Sequence, residues 1–144
     1  MTNENTEAFV SYNVNTLGTS IKEKMRYLNA VNSSISLSSV GKRILKINAL
    51  IMMDGVRKGR GGQPDRNCTN IYLLDVDGKS YFSQSDGVAR AASAIATMFP
   101  DMGATTDTGY LPIQVTTQNL TNGNTMKSLD IVEVENDTIE QNVD

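Results

Sequence analysis

Apolar residues recur at helical spacing in two stretches of the chain. Between residues 85 and 99 they form one stripe, Ser85 or Asp86 can cap its start, and Pro100 ends it. This pattern predicts an amphipathic helix. A weaker stripe over residues 20–31 leaves open a short helix or an extended arm. The first stripe contains Val88, Ala91, Ala92, Ile95, Met98 and Phe99, and the second contains Ile21, Met25, Leu28 and Val31.

The apolar period changes to two over residues 33–53. Ile35 and Leu37 alternate with serines, and a β-branched run follows Gly41. Alternation and β-branched residues favour a strand, and an internal glycine favours a bend. We therefore expect one long strand bent at Gly41. Strict alternation would place Leu45, Ile47, Ala49 and Ile51 on one face.

Two later segments carry the pattern of β-hairpins. In the first, residues 70–76 and 79–84 flank Asp77-Gly78, which favours a two-residue type I′ turn. Because a strand alternates its faces, this register assigns every side chain of the hairpin to a face. One face would carry Tyr72, Lys79 and Tyr81, and the other would carry Phe82.

The second hairpin is predicted over residues 111–119 and 125–135, with its turn at Asn122-Gly123. After it, residues 136–144 are acidic and polar, with too little apolar content to order themselves. We expect a solvated, flexible tail there.

Charge is sorted along the chain, although the formal net charge is only −3. Residues 129–144 contain acidic residues and no basic one, whereas most cations lie between residues 22 and 66. Residues 54–66 combine cations with glycines and a proline, which predicts an exposed basic loop. A basic body with an acidic tail indicates a polyanionic ligand and a mimic of it on the same molecule.

A length of 144 residues fits one domain with its own core. The single cysteine, Cys68, cannot form an internal disulfide, and the chain has no histidine. These absences disfavour a metal site, a cofactor and acid–base catalysis, so we expect a protein that is not an enzyme, with Cys68 inert. The sequence shows neither a leader nor a membrane-length apolar run, so we expect a soluble cytoplasmic protein without membrane contact.

The predicted order of elements is strand, basic loop, hairpin, helix, hairpin and tail. Five strands with one helix between strands 3 and 4 is the order of an oligonucleotide/oligosaccharide-binding (OB) barrel. Such barrels bind ligands on strands 2 and 3 and on the loops between strands 1–2 and 4–5. We expect a mostly β fold with an N-terminal arm at residues 1–32, a five-stranded OB-type barrel at 33–135 and the acidic tail at 136–144.

In element order and charge placement, residues 33–144 resemble a small phage-type single-stranded DNA-binding protein with an OB fold. The resemblance implies sequence-tolerant binding and protection of single-stranded DNA in replication or recombination, by a homo-oligomer in the host cytoplasm. It also implies docking of replication or recombination proteins on the acidic tail. Bacterial members end in an apolar Pro-Phe tip, whereas this chain ends Gln141-Asn142-Val143-Asp144.

The candidate contacts are cations that hold phosphates and aromatic rings that stack on bases. Glycines let the loop backbone approach a phosphate, and arginine forks match phosphate oxygens. About four loop contacts would give a slope near −3 for log affinity against log salt, at roughly −0.7 per phosphate. The candidates are Lys42, Arg43, Lys46, Arg57, Lys58, Arg60, Arg66, Tyr72, Lys79, Tyr81 and Phe82.

Each candidate has a structural alternative, namely a solvated loop, a solvated sheet edge or cross-strand packing. Tyr81 and Phe82 cannot both be core, because neighbours on a strand point to opposite faces. Two other functions stay open. A non-enzymatic phage interaction or inhibitor protein would bind a host protein and show no salt-sensitive binding of polynucleotides. An RNA-binding module would distinguish RNA from DNA through the 2′-hydroxyl group of the ribose.

Overall fold

The computed structural model of the chain describes residues 12–102 and 108–132. The acidic tail predicted for residues 136–144 and the first eleven residues of the predicted arm lie outside these ranges. The described residues form two α-helices and seven strands. In chain order these are β1 (Val14–Asn15), α1 (Ile21–Asn32), β2 (Ile35–Ser36), β3 (Leu45–Arg57), β4 (Arg66–Asp75), β5 (Ser80–Ser83), α2 (Asp86–Met98), β6 (Leu111–Asn119) and β7 (Thr125–Ile131).

The strands make one mostly antiparallel sheet in the order β2-β5-β4-β3-β6-β7, and β1 pairs with the middle of β3. The two end strands, β2 and β7, each have one neighbour within the described ranges, and the sheet curls into a half-barrel. This mostly β architecture is consistent with an OB-like fold. It differs from the predicted five strands and one helix by two short strands and by α1.

The long first strand expected over residues 33–53 is broken. Before Gly41, only Ile35 and Ser36 form a strand, Leu37–Ser39 form a 3-10 turn, and Gly41 itself has φ of 62°. A φ in this region is one that glycine adopts without steric penalty. The chain therefore turns at Gly41 rather than bending, and β3 is a separate strand that extends four residues beyond the predicted end, to Arg57.

A β-bulge at Asn48 changes which side chains of β3 point inward. Ile47 pairs with Asp75 and Ala49 pairs with Leu74, so Asn48 is an extra residue without a partner on β4. A bulge of this kind shifts the alternation of faces by one position. The strict alternation predicted from the sequence is therefore wrong: Leu45, Ile47, Leu50 and Met52 lie in one core cluster, and Ala49 and Ile51 lie in another.

The inner face of the sheet packs against α2. Ser85 caps this helix by accepting a hydrogen bond from the amide of Val88, as the sequence predicts. Val88, Ala92 and Ile95 are buried, and α2 packs on β7, β4 and β3. The main core therefore lies between α2 and the inner face of the sheet.

The outer face of the sheet carries the second, smaller core cluster, which α1 covers. Ala30 is buried there with Ala49 and Ile51, and Ser80 Oγ donates a hydrogen bond of 2.9 Å to the carbonyl oxygen of Ala30. The start of α1 is capped by Ser20, whose hydroxyl oxygen accepts from the amide of Glu23. The segment that could be a helix or an arm is thus a helix that packs on the outer face.

The hairpin between β4 and β5 has a three-residue loop rather than the predicted two-residue turn. The Asp75 amide donates to the carbonyl oxygen of Lys79 at 2.9 Å, and Gly78 has φ of 89°. The Asp75 carboxylate accepts hydrogen bonds from the Asp77 and Lys79 amides, which stabilises this longer loop. As a result Tyr72 pairs with Phe82 and Leu73 pairs with Tyr81, so the predicted register is wrong by one residue.

Candidate nucleic-acid interface

The ends of β3 and β4 project as a two-stranded ribbon, closed by residues 58–65. This loop is shorter than the predicted 54–66 because the ladder continues to the Arg57–Arg66 pair. Asp65 organises the loop: one carboxylate oxygen accepts the Gly59 amide at 2.9 Å, and the other lies 3.6 Å from Lys58 Nζ. A Cβ on Gly59 would lie 1.9 Å from the Gln63 carbonyl oxygen, so the loop requires glycine there.

Four cationic residues surround one cavity of about 240 Å³ at the end of this ribbon. We call them the basic tip: Arg57, Lys58, Arg60 and Arg66. Arg57 and Arg66 are directly opposite each other in the ladder, and like charges in that position destabilise a sheet. Residues 57–66 contain one acidic residue, Asp65, which pairs with Lys58. The tip therefore keeps an excess of positive charge.

A hydrogen-bond network joins the base of the ribbon to the segment before α2. Arg57 Nη2 donates to the backbone carbonyl oxygen of Gln84. The Gln84 side-chain amide donates to Asn70 Oδ1 at 2.9 Å and to the Val56 carbonyl oxygen at 3.3 Å. Gln84 thereby fixes the direction of the ribbon relative to the half-barrel. No local pattern marked this residue, because its partners are distant in sequence.

Tyr81 points into the main core, so its predicted role as a stacking platform is wrong. Its exposed fraction is 2%, and its hydroxyl donates to Asp75 Oδ2 at 3.2 Å. Burial raises the pKa of Tyr81, and the neighbouring Asp75 charge and hydrogen bond raise it further. A ring in this position packs against core side chains and offers no face to a base.

Tyr72 is also covered, at 6% exposure, and the structure corrects its predicted role in the same way. Its ring centroid lies 5.2 Å from that of Phe82, and burial, followed by Tyr27, raises its pKa. Phe82 and Tyr27 are both half-buried at the edge of the outer cluster. These two rings, rather than Tyr72 and Tyr81, retain accessible surface on the outer face, and no sequence pattern singled out Tyr27.

The cations near the start of β3 lie far from the basic tip. Lys46 is eleven residues before Arg57, which corresponds to about 36 Å along a strand. Its Nζ lies 5.5 Å from the Tyr110 ring centroid, and Arg43 lies 5.9 Å from the Tyr81 ring centroid. Lys42 is exposed in the Gly41 turn. The structure therefore separates these three cations from the loop with which they were predicted to share one groove.

Lys79 is exposed at the β4–β5 loop, at the same end of the sheet as Lys46. Its predicted neighbours Tyr72 and Tyr81 are buried, so it does not share an accessible surface with their rings. Its backbone amide supports the loop by donating to Asp75 Oδ1 at 2.9 Å.

The thiol of Cys68 is buried in β4. Burial raises its pKa, so the thiolate form that would be reactive is disfavoured, as predicted. Residues 12–102 and 108–132 contain no cluster of three His, Cys, Asp or Glu side chains that could hold a metal ion. Neither α1 nor α2 has the length and apolar content needed to cross a membrane.

Comparison with known proteins identifies the family. No curated protein and no solved structure matches the chain. Residues 3–138, most of the chain, match the family described as phage single-stranded DNA-binding protein of the Phi29 type. The match covers the half-barrel, α1 and the basic tip. The chain therefore belongs to the Phi29-type family of phage single-stranded DNA-binding proteins.

Proposed function

We propose that the protein binds single-stranded DNA with little sequence preference and protects it during phage replication or recombination in the host cytoplasm. The basic tip holds phosphates, and half-exposed rings of the outer face stack on bases. The family consists of DNA-binding proteins, so we assign no reaction and no cofactor.

The observation that carries this proposal is the concentration of positive charge at the basic tip. Arg57 lies directly opposite Arg66, and both line one cavity with Lys58 and Arg60. The arrangement destabilises the free ribbon, and phosphates entering the cavity would relieve it. Arginine forks and the backbone amides of a glycine-rich loop both suit phosphate oxygens.

Phe82 is the ring best placed to act with the basic tip. It precedes Gln84 by two residues, and the Gln84 carbonyl oxygen accepts from Arg57. A base stacked on Phe82 would therefore lie near a phosphate held by Arg57. Stacking of this kind is worth about 1–3 kcal/mol per base and tolerates any sequence.

The remaining candidates have lesser roles in this proposal. Four cations lie at the other end of the sheet, and their electrostatic field raises the local concentration of single-stranded DNA. They are Lys42, Arg43, Lys46 and Lys79. The acidic tail competes with DNA for the basic tip in the free protein and is released for replication or recombination partners when DNA binds. Assembly into a homo-oligomer is a further prediction.

Fluorescence anisotropy of a labelled oligothymidine across a salt series tests the function. We expect tight binding with a log–log salt slope near −3, from about four phosphate contacts at roughly −0.7 each. Lys58→Gln/Arg60→Gln should reduce the magnitude of the slope by about 1.4. The matched control, Lys24→Gln/Arg90→Gln, removes two exposed cations outside the basic tip and should leave the slope unchanged.

The same experiment separates the alternatives. Salt-insensitive or absent binding of the oligothymidine would contradict the proposal and favour a protein that acts on a host protein. Equal binding of duplex DNA would show that charge alone is recognised. Tighter binding of an RNA oligomer of the same sequence would favour the RNA-binding module.

A further inference from the structure

A second basic cavity lies between α1 and the β4–β5 loop, at the opposite end of β3 and β4 from the basic tip. Its volume is about 420 Å³, and we call it the α1 cavity. Asn48, which lines it, is nine residues before Arg57, or about 30 Å along the strand. The side chains that would contact a ligand are those of Lys22, Met25, Arg26, Asn29, Asn48 and Val76.

Arg26 is the central cation of the α1 cavity. Its guanidinium is half-buried, and Nη2 donates to Asn48 Oδ1 and, at 2.9 Å, to the Asp75 carbonyl oxygen. Both acceptors are neutral. Burial lowers the pKa of Arg26, and the charges of Asp75 and Glu23 oppose this shift.

The fold positions this cation through the bulge in β3. Asn48 is the extra residue of the bulge, and bulges re-aim side chains beside binding sites. Arg26 donates its two Nη2 protons in the hydrogen bonds to Asn48 and Asp75. A guanidinium has three further N–H donors. Arg26 is thus held in one orientation with donors left for an anion.

The α1 cavity is lined by two cations and one acidic side chain, that of Asp75, and the carboxylates of Asp75 and Glu23 accept hydrogen bonds from groups other than Arg26. Glu23 accepts from the Gly18 amide at 2.8 Å and from the Ser20 hydroxyl at 3.0 Å, so its carboxylate caps α1. These hydrogen bonds lower the pKa of Glu23, with that of Gly18 the largest cause. The Asp75 carboxylate accepts from the Lys79 amide and from two further donors of the β4–β5 hairpin.

The other lining residues extend the site from a phosphate to a nucleotide. Lys22 lies one helical turn before Arg26, and two cations at this spacing repel each other in the free protein. Met25 and Val76 are 58% and 42% exposed and offer an apolar surface to a base. Asn29 and Asn48 contribute side-chain amides, which carry both hydrogen-bond donors and an acceptor and can therefore pair with either kind of group on a base edge.

We propose that the α1 cavity binds one phosphate and its base from a DNA strand that is also held at the basic tip. The proposal rests on the proposed function and lengthens its interface along β3 and β4. Only a strand that spans about 30 Å reaches both sites. Arg26 therefore contributes to the binding of long oligonucleotides and adds nothing for short ones.

The test compares Arg26→Gln with Lys24→Gln, which removes the same charge from α1 outside the cavity lining. Affinity is measured for oligothymidines of about 4 and about 16 nucleotides, the limits of site sizes for one OB fold. We expect Arg26→Gln to weaken binding of the longer oligomer about tenfold and to reduce its salt slope by about 0.7. The shorter oligomer should be unaffected, and Lys24→Gln should match the wild type with both.

A second variant guards against a structural effect, because Arg26 also helps to hold α1 on the sheet. Lys22 is exposed, so Lys22→Gln should preserve the fold and still weaken the longer oligomer alone. Equal losses with both oligomers, or no loss with the longer one, would overturn the proposal. Saturation of the cavity by thymidine monophosphate in the wild type but not in Arg26→Gln, with no weakening of the longer oligomer in that variant, would assign it to a free nucleotide instead and also overturn the proposal.

Failure of the proposed function would look different from failure of this inference. If Lys58→Gln/Arg60→Gln left the affinity for both oligomers unchanged, the basic tip would not be an interface. If that variant weakened both oligomers while Arg26→Gln weakened neither, the basic tip would stand and the α1 cavity alone would be rejected.

Discussion

The two faces of the same sheet are covered by helices in different ways. On the inner face, α2 turns its apolar stripe toward the strands and buries Val88 and Ala92 completely. On the outer face, α1 leaves most of its apolar stripe in solvent: Ile21 is 78% exposed and Leu28 is 58% exposed, whereas Val31 packs on the outer cluster. Polar contacts such as the bond from Arg26 to the Asp75 carbonyl oxygen help to hold α1. The inner face therefore maintains the fold, and the outer face retains cations, rings and apolar surface for a ligand.

The largest expected contrast is between two leucines. Leu73 is completely buried in the main core, and Leu73→Ala should lower the free energy of unfolding by about 2–5 kcal/mol, since it removes packed atoms and leaves a cavity. Leu28→Ala makes the same chemical change on the exposed side of α1 and should alter stability by less than about 0.5 kcal/mol. Urea denaturation of both variants measures the difference. Similar losses for the two would show that Leu28 is packed as tightly as Leu73.

A smaller effect is expected at the close approach of α2 to β7. A Cβ on Gly87 would lie 1.9 Å from the Lys127 carbonyl oxygen and 2.6 Å from Met126 Cγ. Gly87→Ala should therefore lower the free energy of unfolding by about 1–3 kcal/mol, although the same substitution in an unobstructed helix stabilises it. Thermal or urea unfolding measures the change.

The control for Gly87→Ala is Thr97→Ala, on the exposed side of the same helix. The Thr97 hydroxyl donates only to the Ser93 carbonyl oxygen one turn earlier, and alanine has the higher helix propensity, so the control should be neutral or slightly stabilising. A stabilising Gly87→Ala would contradict the close packing of α2 on β7.

A smaller effect on stability, which depends on pH, is expected at the two buried tyrosines. Burial raises the pKa of both Tyr81 and Tyr72 above the unfolded value near 10. The folded state then holds the two phenol protons more tightly than the unfolded state does. The contribution of these tyrosines to the free energy of unfolding is therefore fully present below about pH 10 and is lost as the pH rises through their folded pKa. Tyr81→Phe should cost about 1–2 kcal/mol at pH 7, because it removes a bond to the Asp75 carboxylate, and should flatten the alkaline decline.

Thermal or urea unfolding between pH 7 and pH 11 measures this effect, with Tyr72→Phe as the outer-face control. The control should flatten the alkaline decline too, with a smaller loss at pH 7. An alkaline decline that neither substitution changes would mean that other groups cause it.

The smallest effect on stability is expected at the basic tip. The side chain of Lys58 is 87% exposed, and exposed ion pairs such as that with Asp65 contribute little. Lys58→Ala should leave the unfolding midpoint unchanged while reducing the magnitude of the salt slope of DNA binding by about 0.7. A loss of stability without a change in slope would make Lys58 a structural residue.

Local sequence patterns predicted the elements whose ends are marked by local signals. Helix α2 begins at its Ser85 cap, and the β6–β7 hairpin turns at Gly123, with φ of 87°, as expected. The errors arose where one residue changes the register. The bulge at Asn48 and the three-residue loop stabilised by Asp75 each shift the faces by one position, and neither is visible in an alternation pattern.

The candidate site was predictable to a similar degree. Glycines and cations together marked the basic tip, because both features are local. Arg26, Tyr27 and Gln84 were not marked, since their roles depend on partners distant in sequence, such as Asn48 for Arg26. The predicted stacking role of Tyr72 and Tyr81 does not fit their burial for the same reason, because tertiary packing decides whether a ring is buried.

Amide hydrogen exchange with and without a long oligothymidine tests the central claim most directly, because it reports both faces of the sheet in one experiment. We expect the oligomer to slow exchange in residues 57–66 and 22–30, which carry the basic tip and the α1 cavity, and to leave the buried strands of the inner face unchanged. Slowed exchange confined to β6 and β7, with no change at the basic tip, would contradict the assignment of the interface.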